Sequence, residues 1–193
     1  MDKNPSVSSI RTDVKNALQG LAFWVSYKQV LYHLHSLKEG ALVAEFVHLL
    51  NAKLGKNFKI HCESLYDKHK GLQMDVEIRE NDQRVAVIEF KRNLAGKRSI
   101  DKDIEKLLSI KEGNILRFLV VVSEKKRPKE YVNNKGRAVT KNLCGQCGSS
   151  AKVIGVFKSA QSFNGKNKNL PVANYCCLIE IKSQNSPING GKK

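Results

Sequence analysis

The sequence predicts an α/β fold of the α+β kind, in which a mixed β-sheet of about five to six strands is flanked by helices. Apolar residues have helical spacing in residues 1–54, strand-like alternation follows in residues 72–93, and residues 114–123 form a nearly continuous apolar run. The chain has 193 residues, of which 41% are hydrophobic. This length is sufficient for one domain with a full hydrophobic core.

Residues 1–37 are predicted to form an N-terminal helical extension. The first apolar stripe, from Ile10 to Leu21, has helical spacing, and Gly20 is expected to end or bend this helix. A second apolar stretch contains Trp24 and Tyr27. We interpret these aromatic residues mainly as core, and a partner surface is the alternative.

Residues 38–54 give the clearest helical pattern, and Gly55 is expected to end this helix. Glu39 lies on the apolar stripe of the helix, and Glu45 lies on its flank. A buried charge without a partner is unfavourable, so a carboxylate on this stripe requires an explanation. Glu39 is either a functional residue or a first-turn acid that the helix dipole favours.

Residues 72–93 predict a β-hairpin with charged residues on its strands. Apolar and polar residues alternate on both sides of a polar turn at residues 80–83. Closure of the hairpin brings Asp75 to the same end as Glu89 and Lys91, which project from one face of their strand. Two carboxylates and an ammonium group at a strand end make a divalent-metal site with an adjacent cation.

The remaining elements complete the sheet. A helix is expected at residues 99–113, with Ser99 as its N-cap and Gly113 as its end. The apolar run that follows predicts a central strand covered on both faces. The order strand, helix, strand predicts parallel pairing. Further strands are expected at residues 56–64, 151–158 and 172–182, and the last two are expected to pair as a hairpin.

The charged residues of the hairpin resemble a known motif. Asp75, Glu89 and Lys91, with the string Ile88-Glu89-Phe90-Lys91, resemble the motif of the PD-(D/E)xK nuclease superfamily. Met74 stands where the name of the motif has proline, at a position that is loose in the family. The apolar strand around the motif makes the resemblance more specific than the bare spacing.

The resemblance covers roughly residues 38–122. The string from Asp103 to Leu107 is similar to the helix that follows the active-site strand in many members. The resemblance implies a restriction-endonuclease-like core. We therefore expect a nuclease-like domain at residues 38–182, after the helical extension, and a flexible tail at residues 183–193.

The resemblance also implies a mechanism, the Mg²⁺-dependent hydrolysis of DNA, with Mn²⁺ as a substitute. Asp75 and Glu89 would hold the metal ion together with the backbone carbonyl of Phe90. Lys91 would orient the attacking water or help to deprotonate it, and would stabilise developing charge. Such an enzyme would be an endonuclease of the restriction, phage-defence or repair type.

A glutamate of the first helix often reaches the metal site in the resembled family. Glu39 matches that role best, Glu45 is second, and Glu63 at the end of the first strand is a third acid that could approach the site. The alternative function is a non-cleaving nucleic-acid-binding protein with the same fold. Cutting of both DNA strands by a single-site domain would favour a homodimer.

The charge of the chain indicates a polyanionic partner. Lys and Arg number 34 against 18 Asp and Glu, which gives a net charge of +16. DNA is favoured over RNA because aromatic residues make up only 7% and do not cluster on strands. A solvated surface is the alternative. The residues expected to contact phosphates are Arg92, Lys97, Arg98, Lys125, Lys126, Arg127, Lys135, Arg137, Lys141, Lys166 and Lys168.

The sequence predicts a cytoplasmic protein without a membrane segment. No apolar run approaches the ~18 residues that would span a bilayer, and five cysteines fit a reducing compartment. Cys144 and Cys147 form a CxxC that could hold zinc with Cys176 and Cys177, but adjacent cysteines on a strand point to opposite faces. Cys62 and one of the strand cysteines are instead expected to be small core residues.

Overall fold

The computed structural model describes residues 7–31, 38–67, 72–92, 97–110, 115–123, 127–139, 150–158 and 173–182. These residues form a mixed six-stranded sheet with three helices, which confirms the predicted α+β fold class. The helices are α1 (Val7–Leu31), α2 (Glu39–Asn51) and α3 (Lys97–Leu108). The strands are β1 (Phe58–Asp67), β2 (Leu72–Glu80), β3 (Gln83–Arg92), β4 (Leu116–Ser123), β5 (Ser150–Lys158) and β6 (Tyr175–Lys182).

The sheet has the strand order β1-β2-β3-β4-β6-β5. Strands β3 and β4 are parallel and are connected through α3, whereas the other neighbouring strands are antiparallel. Every residue of β4 is buried, because this strand lies inside the sheet and carries apolar side chains on both faces. The predictions of a central β4, of parallel pairing and of a β5–β6 pair are confirmed.

A two-residue turn joins β2 to β3. Asn81 and Asp82 have φ values of 49° and 64°, in the left-handed region that short polar side chains tolerate. Positive φ at both central residues is what a type I′ hairpin turn requires. The predicted turn at residues 80–83 is confirmed. The register of the two strands shifts by one residue between Ile78 and Arg79, just beyond the turn.

Apolar side chains cover both faces of the sheet. On β3, Ile88 and Phe90 pack on the side of α1 and α2, where the Phe90 ring lies edge-on to Phe46 at 5.0 Å between centroids. Val87 belongs to a second cluster that includes residues of α3. The period of two along β3 therefore divides the core into two layers.

The cysteines of β6 follow the same alternation. Cys176 lies in the first apolar cluster and Cys177 lies in the second, so the two side chains occupy opposite faces of the sheet. The expectation for Cys62 was wrong, because this residue is exposed on the edge strand β1. The CxxC at Cys144 and Cys147 lies outside the described residues.

Gly20 was expected to end or bend helix α1, and the first of these alternatives was wrong, because the helix continues through this residue. A Cβ atom at Gly20 would lie 3.1 Å from Cδ1 of Leu49 on α2. The glycine therefore permits close packing of two helices. Tyr27 is 64% exposed, so its interpretation as core was also wrong. No helix within the described ranges is both long enough and apolar enough to cross a membrane.

The predicted helix ends differ from the observed ones. Helix α2 ends at Asn51, and its C-cap Ala52 has right-handed helical dihedrals. Gly55 instead lies in the turn before β1, where its carbonyl accepts the N–H of Phe58. Helix α3 begins two residues before Ser99, which is therefore inside the helix rather than its N-cap. Gly113 lies outside the described residues.

Buried Arg117 of β4 holds the end of α3. Its guanidinium donates hydrogen bonds to the carbonyls of Leu107 (3.1 Å), Ile110 (2.7 Å) and Ile115 (3.1 Å). Carbonyls at a helix C-terminus have no partner within the helix, so a buried cation satisfies them well. These contacts fix the position of α3 against the sheet.

Candidate active site at the open end of the hairpin

The site lies where β2 separates from β3. Main-chain pairing of the two strands runs from the turn to Val76 and Ile88. Beyond this point the N–H of Phe90 donates to Oδ2 of Asp75 at 2.7 Å, and the N–H of Asp75 donates to Oε1 of Glu89 at 3.3 Å. Two carboxylates thus replace main-chain partners in a reciprocal arrangement. The structure brings Asp75, Glu89 and Phe90 together as the sequence predicted.

Glu39 reaches the same end of the hairpin from α2. Its Oε2 accepts the N–H of Arg92, the last residue of β3, at 3.0 Å. The charge of Lys91 interacts with the carboxylates of Glu39 and Asp75. Of the three acids considered from sequence, Glu39 is therefore the one whose contact places it beside the motif. Glu45 lies further along α2, and Glu63 is exposed on β1.

Helix α3 contributes two more charged groups. Nζ of Lys106 lies 2.7 Å from Oε1 of Glu89, and Nζ of Lys91 lies 3.2 Å from Oδ2 of Asp103. Asp103 and Lys106 are three residues apart, so they lie on the same side of the helix. Two ion pairs therefore connect α3 to β3, and each joins one charge of the motif to an opposite charge of the helix.

The sequence did not identify Asp103 and Lys106 as site residues. Both lie in the string that is similar to the helix following the active-site strand, but neither was given a role. Their i, i+3 spacing beside the apolar stripe of α3 is a signal, although a weak one, because charged residues commonly flank such a stripe. Which side of α3 meets the sheet depends on tertiary packing.

The carboxyl group of Glu89 is buried and has a raised pKa. The side chain is only 4% exposed, and burial together with the neighbouring Asp75 carboxylate raises its pKa to about 7. The hydrogen bond and charge of Lys106 oppose this rise and only partly compensate for it. Around neutral pH the carboxyl group is therefore divided between its two protonation states. A second cation at this position would stabilise the ionised form.

Lys91 and Asp103 form a partly buried pair. Burial alone would lower the pKa of Lys91, but the hydrogen bond with Asp103 and the carboxylates of Asp103, Glu39 and Asp75 together raise it. Burial raises the pKa of Asp103, and the two lysines oppose that rise. Lys91 is therefore an ammonium ion at neutral pH. This charge suits it to stabilise negative charge and to orient a water molecule.

The oxygen atoms at the site are of the chemical types that a hard divalent cation binds. Two carboxylates and the main-chain carbonyl of Phe90, which lies next to Glu89 in the chain, offer the oxygen ligands that Mg²⁺ takes. Among the described residues, however, no three acidic, histidine or cysteine side chains form a ready-made metal-binding group. The carboxylates instead contact N–H groups and Lys106. Binding of an ion would therefore require side chains to rearrange.

A second buried carboxylate lies close to the site on β2. Glu77 is fully buried and accepts hydrogen bonds from Ser64, Arg79 and Arg84. Burial alone would raise its pKa, but these three partners lower it instead. Glu77 is therefore a satisfied structural charge that holds β1, β2 and β3 together.

The basic residues predicted to bind phosphates are only partly described. Arg92 is half-buried at the end of β3, and α3 begins with Lys97 and Arg98, of which the structure describes only the main chain. Arg127 is half-buried in the segment after β4. Five further lysines that were predicted to contact phosphates lie outside the described residues: Lys125, Lys126, Lys141, Lys166 and Lys168.

Lys135 and Arg137 lie on a compact loop. Oδ1 of Asn133 accepts the N–H groups of Lys135 (2.9 Å) and Arg137 (3.0 Å) and so holds the backbone of the tip. Tyr131 and Val132 at the base of the loop are buried in the cluster that includes residues of α3. Both cationic side chains are exposed. The loop thus presents two charges on the side of the sheet that carries α3.

The chain was also compared with known proteins. No family model, no curated protein and no solved structure matches it. The functional interpretation therefore depends on the residues of the site and their geometry.

Proposed function

We propose that this protein is a metal-dependent endonuclease of the PD-(D/E)xK type, which hydrolyses phosphodiester bonds of DNA. The observation that carries this proposal is the meeting of Asp75, Glu89 and Lys91 at the open end of the β2–β3 hairpin. Glu39 adds a further carboxylate at the same place. Restriction, phage defence and repair are the settings in which such an enzyme would act.

Asp75, Glu89 and the Phe90 carbonyl are the groups that would hold Mg²⁺ or Mn²⁺. When bound, the ion would lower the pKa of the water that it holds and would polarise the phosphate. Glu39 would contribute to the same site or hold the end of β3 through its contact with Arg92. The chemistry of the ligand atoms supports this assignment, since hard cations prefer carboxylate and carbonyl oxygens.

Lys91 has a separate role in the proposed reaction. The oxygen of water forms a bond to phosphorus while the bond from phosphorus to the leaving sugar oxygen breaks. The water gives up a proton, and the leaving oxygen receives one. The ammonium of Lys91 orients the water and stabilises charge on the phosphoryl oxygens. Asp103 positions this ammonium through their contact of 3.2 Å.

The charge of the protein supports DNA as the substrate. A net charge of +16 favours association with a polyanion. The exposed side chains of Lys135 and Arg137 lie on the same side of the sheet as α3, which supplies Asp103 and Lys106. We propose that this loop contacts phosphates.

We also propose that the protein acts as a homodimer, because two single-site subunits would allow both DNA strands to be cut. Sedimentation of the active protein as a monomer with full double-strand cutting would contradict the homodimer.

The direct test is cleavage of plasmid DNA with Mg²⁺, with Mn²⁺ and with EDTA. Asp75→Ala and Lys91→Ala should each lower the rate by about 10²-fold or more, since loss of one group that stabilises transition-state charge has effects of this size. Two exposed residues of α3 provide matched controls. Glu105→Ala and Lys102→Ala remove the same kinds of charge and should retain cleavage. Metal-dependent cutting that survives in Asp75→Ala would refute the assignment.

A non-cleaving nucleic-acid-binding protein with this fold is the second candidate. The observation that favours it is that the described residues hold no preformed group of three metal ligands. The two candidates differ in metal binding. Divalent-ion binding that disappears in Asp75→Ala supports the nuclease, whereas salt-sensitive DNA binding without ion binding or cleavage supports the alternative.

A further inference from the structure

The ammonium group of Lys106 contacts the Glu89 carboxylate, which is one of the groups proposed to hold the divalent cation. Its Nζ is 2.7 Å from Oε1 of Glu89, the same oxygen that accepts the N–H of Asp75. Only 4% of the Glu89 side chain is exposed, against 21% of Lys106. The carboxylate oxygen nearest to Asp75 therefore already has a cationic partner, and this partner comes from the protein itself.

We infer that Lys106 is an internal competitor for the divalent cation: it pairs with Glu89 in the ion-free protein and withdraws when the ion binds. The inference rests on the proposed function, since it requires an ion at Asp75 and Glu89. An ammonium group and a divalent ion at one carboxylate oxygen would repel each other strongly in a site with little water. Binding of the ion is thus an exchange of one cation for another.

Lys106 is able to leave without movement of the helix. The lysine side chain is a flexible stem of four carbons, and its end is partly exposed. The backbone nearby is fixed, because Arg117 donates to the carbonyls of Leu107 and Ile110. Asp103, one turn earlier on α3, interacts electrostatically with Lys106 and offers it a second partner. A rotation of one side chain is therefore sufficient.

The two lysines of the site consequently have different roles. Lys91 contacts Asp103, so an ion at Glu89 leaves its partner in place. Lys106 contacts Glu89 directly, so the ion removes its partner. Lys91 acts on the reacting atoms, whereas Lys106 is a positioning residue that sets the affinity of the site for the cation.

The test is calorimetric titration of the full EDTA-treated chain with Ca²⁺, a probe that takes oxygen ligands. Titration at pH 8.5 keeps Glu89 ionised. Lys106→Met and Lys106→Gln should bind Ca²⁺ about ten- to hundredfold more tightly than the wild type, because a hydrogen bond to a charged group contributes a factor of this size. Lys102→Met removes the same charge from an exposed position on α3 and should change the affinity by less than about twofold.

The melting temperature provides a second measurement. Ca²⁺ should raise it more in Lys106→Met than in the wild type, because the ion binds the folded state more tightly. Ca²⁺ binding by the Lys106 variants alone would also support the inference. Equal or weaker binding by both variants, when the wild type binds, would overturn the inference and leave the nuclease proposal standing. Binding of neither Ca²⁺ nor Mn²⁺ by any of these proteins would overturn both.

Discussion

Replacement of Glu89 by glutamine should stabilise the protein above neutral pH. The carboxyl group has a pKa of about 7 in the folded chain and an ordinary value of 4.5. The difference of about 2.5 units corresponds to about 3 kcal/mol at 1.36 kcal/mol per unit. The figure already includes the ion pair with Lys106, because that pair contributes to the pKa. It is an upper figure for the gain, since the amide of glutamine also has to be buried. We expect a gain of about 1–3 kcal/mol at pH 8.

The pH dependence follows from linkage. Between pH 4.5 and about 7 the folded protein binds the proton of Glu89 while the unfolded chain has released it. The contribution of Glu89 to the free energy of unfolding therefore decreases as the pH rises through this window. It is constant below pH 4.5, where both states are protonated, and above about pH 7, where both are ionised.

Urea unfolding in EDTA at a series of pH values from 4.5 to 8.5 measures this effect. The measured quantity is the difference in the free energy of unfolding, Glu89→Gln minus wild type. This difference should be smallest at low pH and should increase towards pH 8. Glu105→Gln changes the same charge at an exposed position of α3 and should show almost no difference. A difference for Glu89→Gln that is constant across this range, or that falls with pH, would refute the argument.

Two further predictions concern the support of the site and its DNA contacts. Arg117→Met should lower the free energy of unfolding by about 3 kcal/mol, because three carbonyls each lose a donor at about 1 kcal/mol; a loss below about 1 kcal/mol in urea unfolding would contradict this. The double variant Lys135→Ala/Arg137→Ala should weaken DNA binding and reduce the slope of log affinity against log salt by about 2. Lys152→Ala/Lys158→Ala on the edge strand β5 is the control, and an equal change there would contradict the assignment.

The hairpin and its charged end were predictable because every step is local. Alternation with a period of two identifies both strands, and the polar pair Asn81 and Asp82 identifies a short turn. The turn places Arg79 opposite Arg84, and a shift of one residue between Ile78 and Arg79 then places Val76 opposite Ile88. Asp75 and Glu89 then follow at the next position. The contact between Asp75 and Glu89 thus depends on the hairpin alone, on its turn and on this shift. The sequence predicts the turn and the charged end but not the shift.

The contributions of α3 could not be read from sequence in the same way. Lys106 meets Glu89, and Asp103 meets Lys91, only because the helix lies at one particular rotation against the sheet. That rotation depends on packing and on the contacts of Arg117, which lies beyond α3 in the chain. The role of Gly20 was not predictable from sequence for a related reason. A glycine within a helix ends it or permits close packing, and the partner that decides, Leu49, lies on another helix.

The contrast between Glu77 and Glu89 bears on whether the site is functional. Both are buried acids on neighbouring strands. Glu77 has two arginines and a serine, and its pKa is lowered. Glu89 has one lysine beside a second carboxylate, and its pKa is raised to about 7. A purely structural charge would be expected to resemble Glu77, since the fold demonstrably satisfies a buried acid a short distance away. An acid that the same sheet leaves incompletely neutralised is the kind of group that binds a cation or handles a proton. The incomplete compensation of the Glu89 charge therefore supports the proposed metal site. A bound divalent cation should complete this compensation and lower the pKa of Glu89.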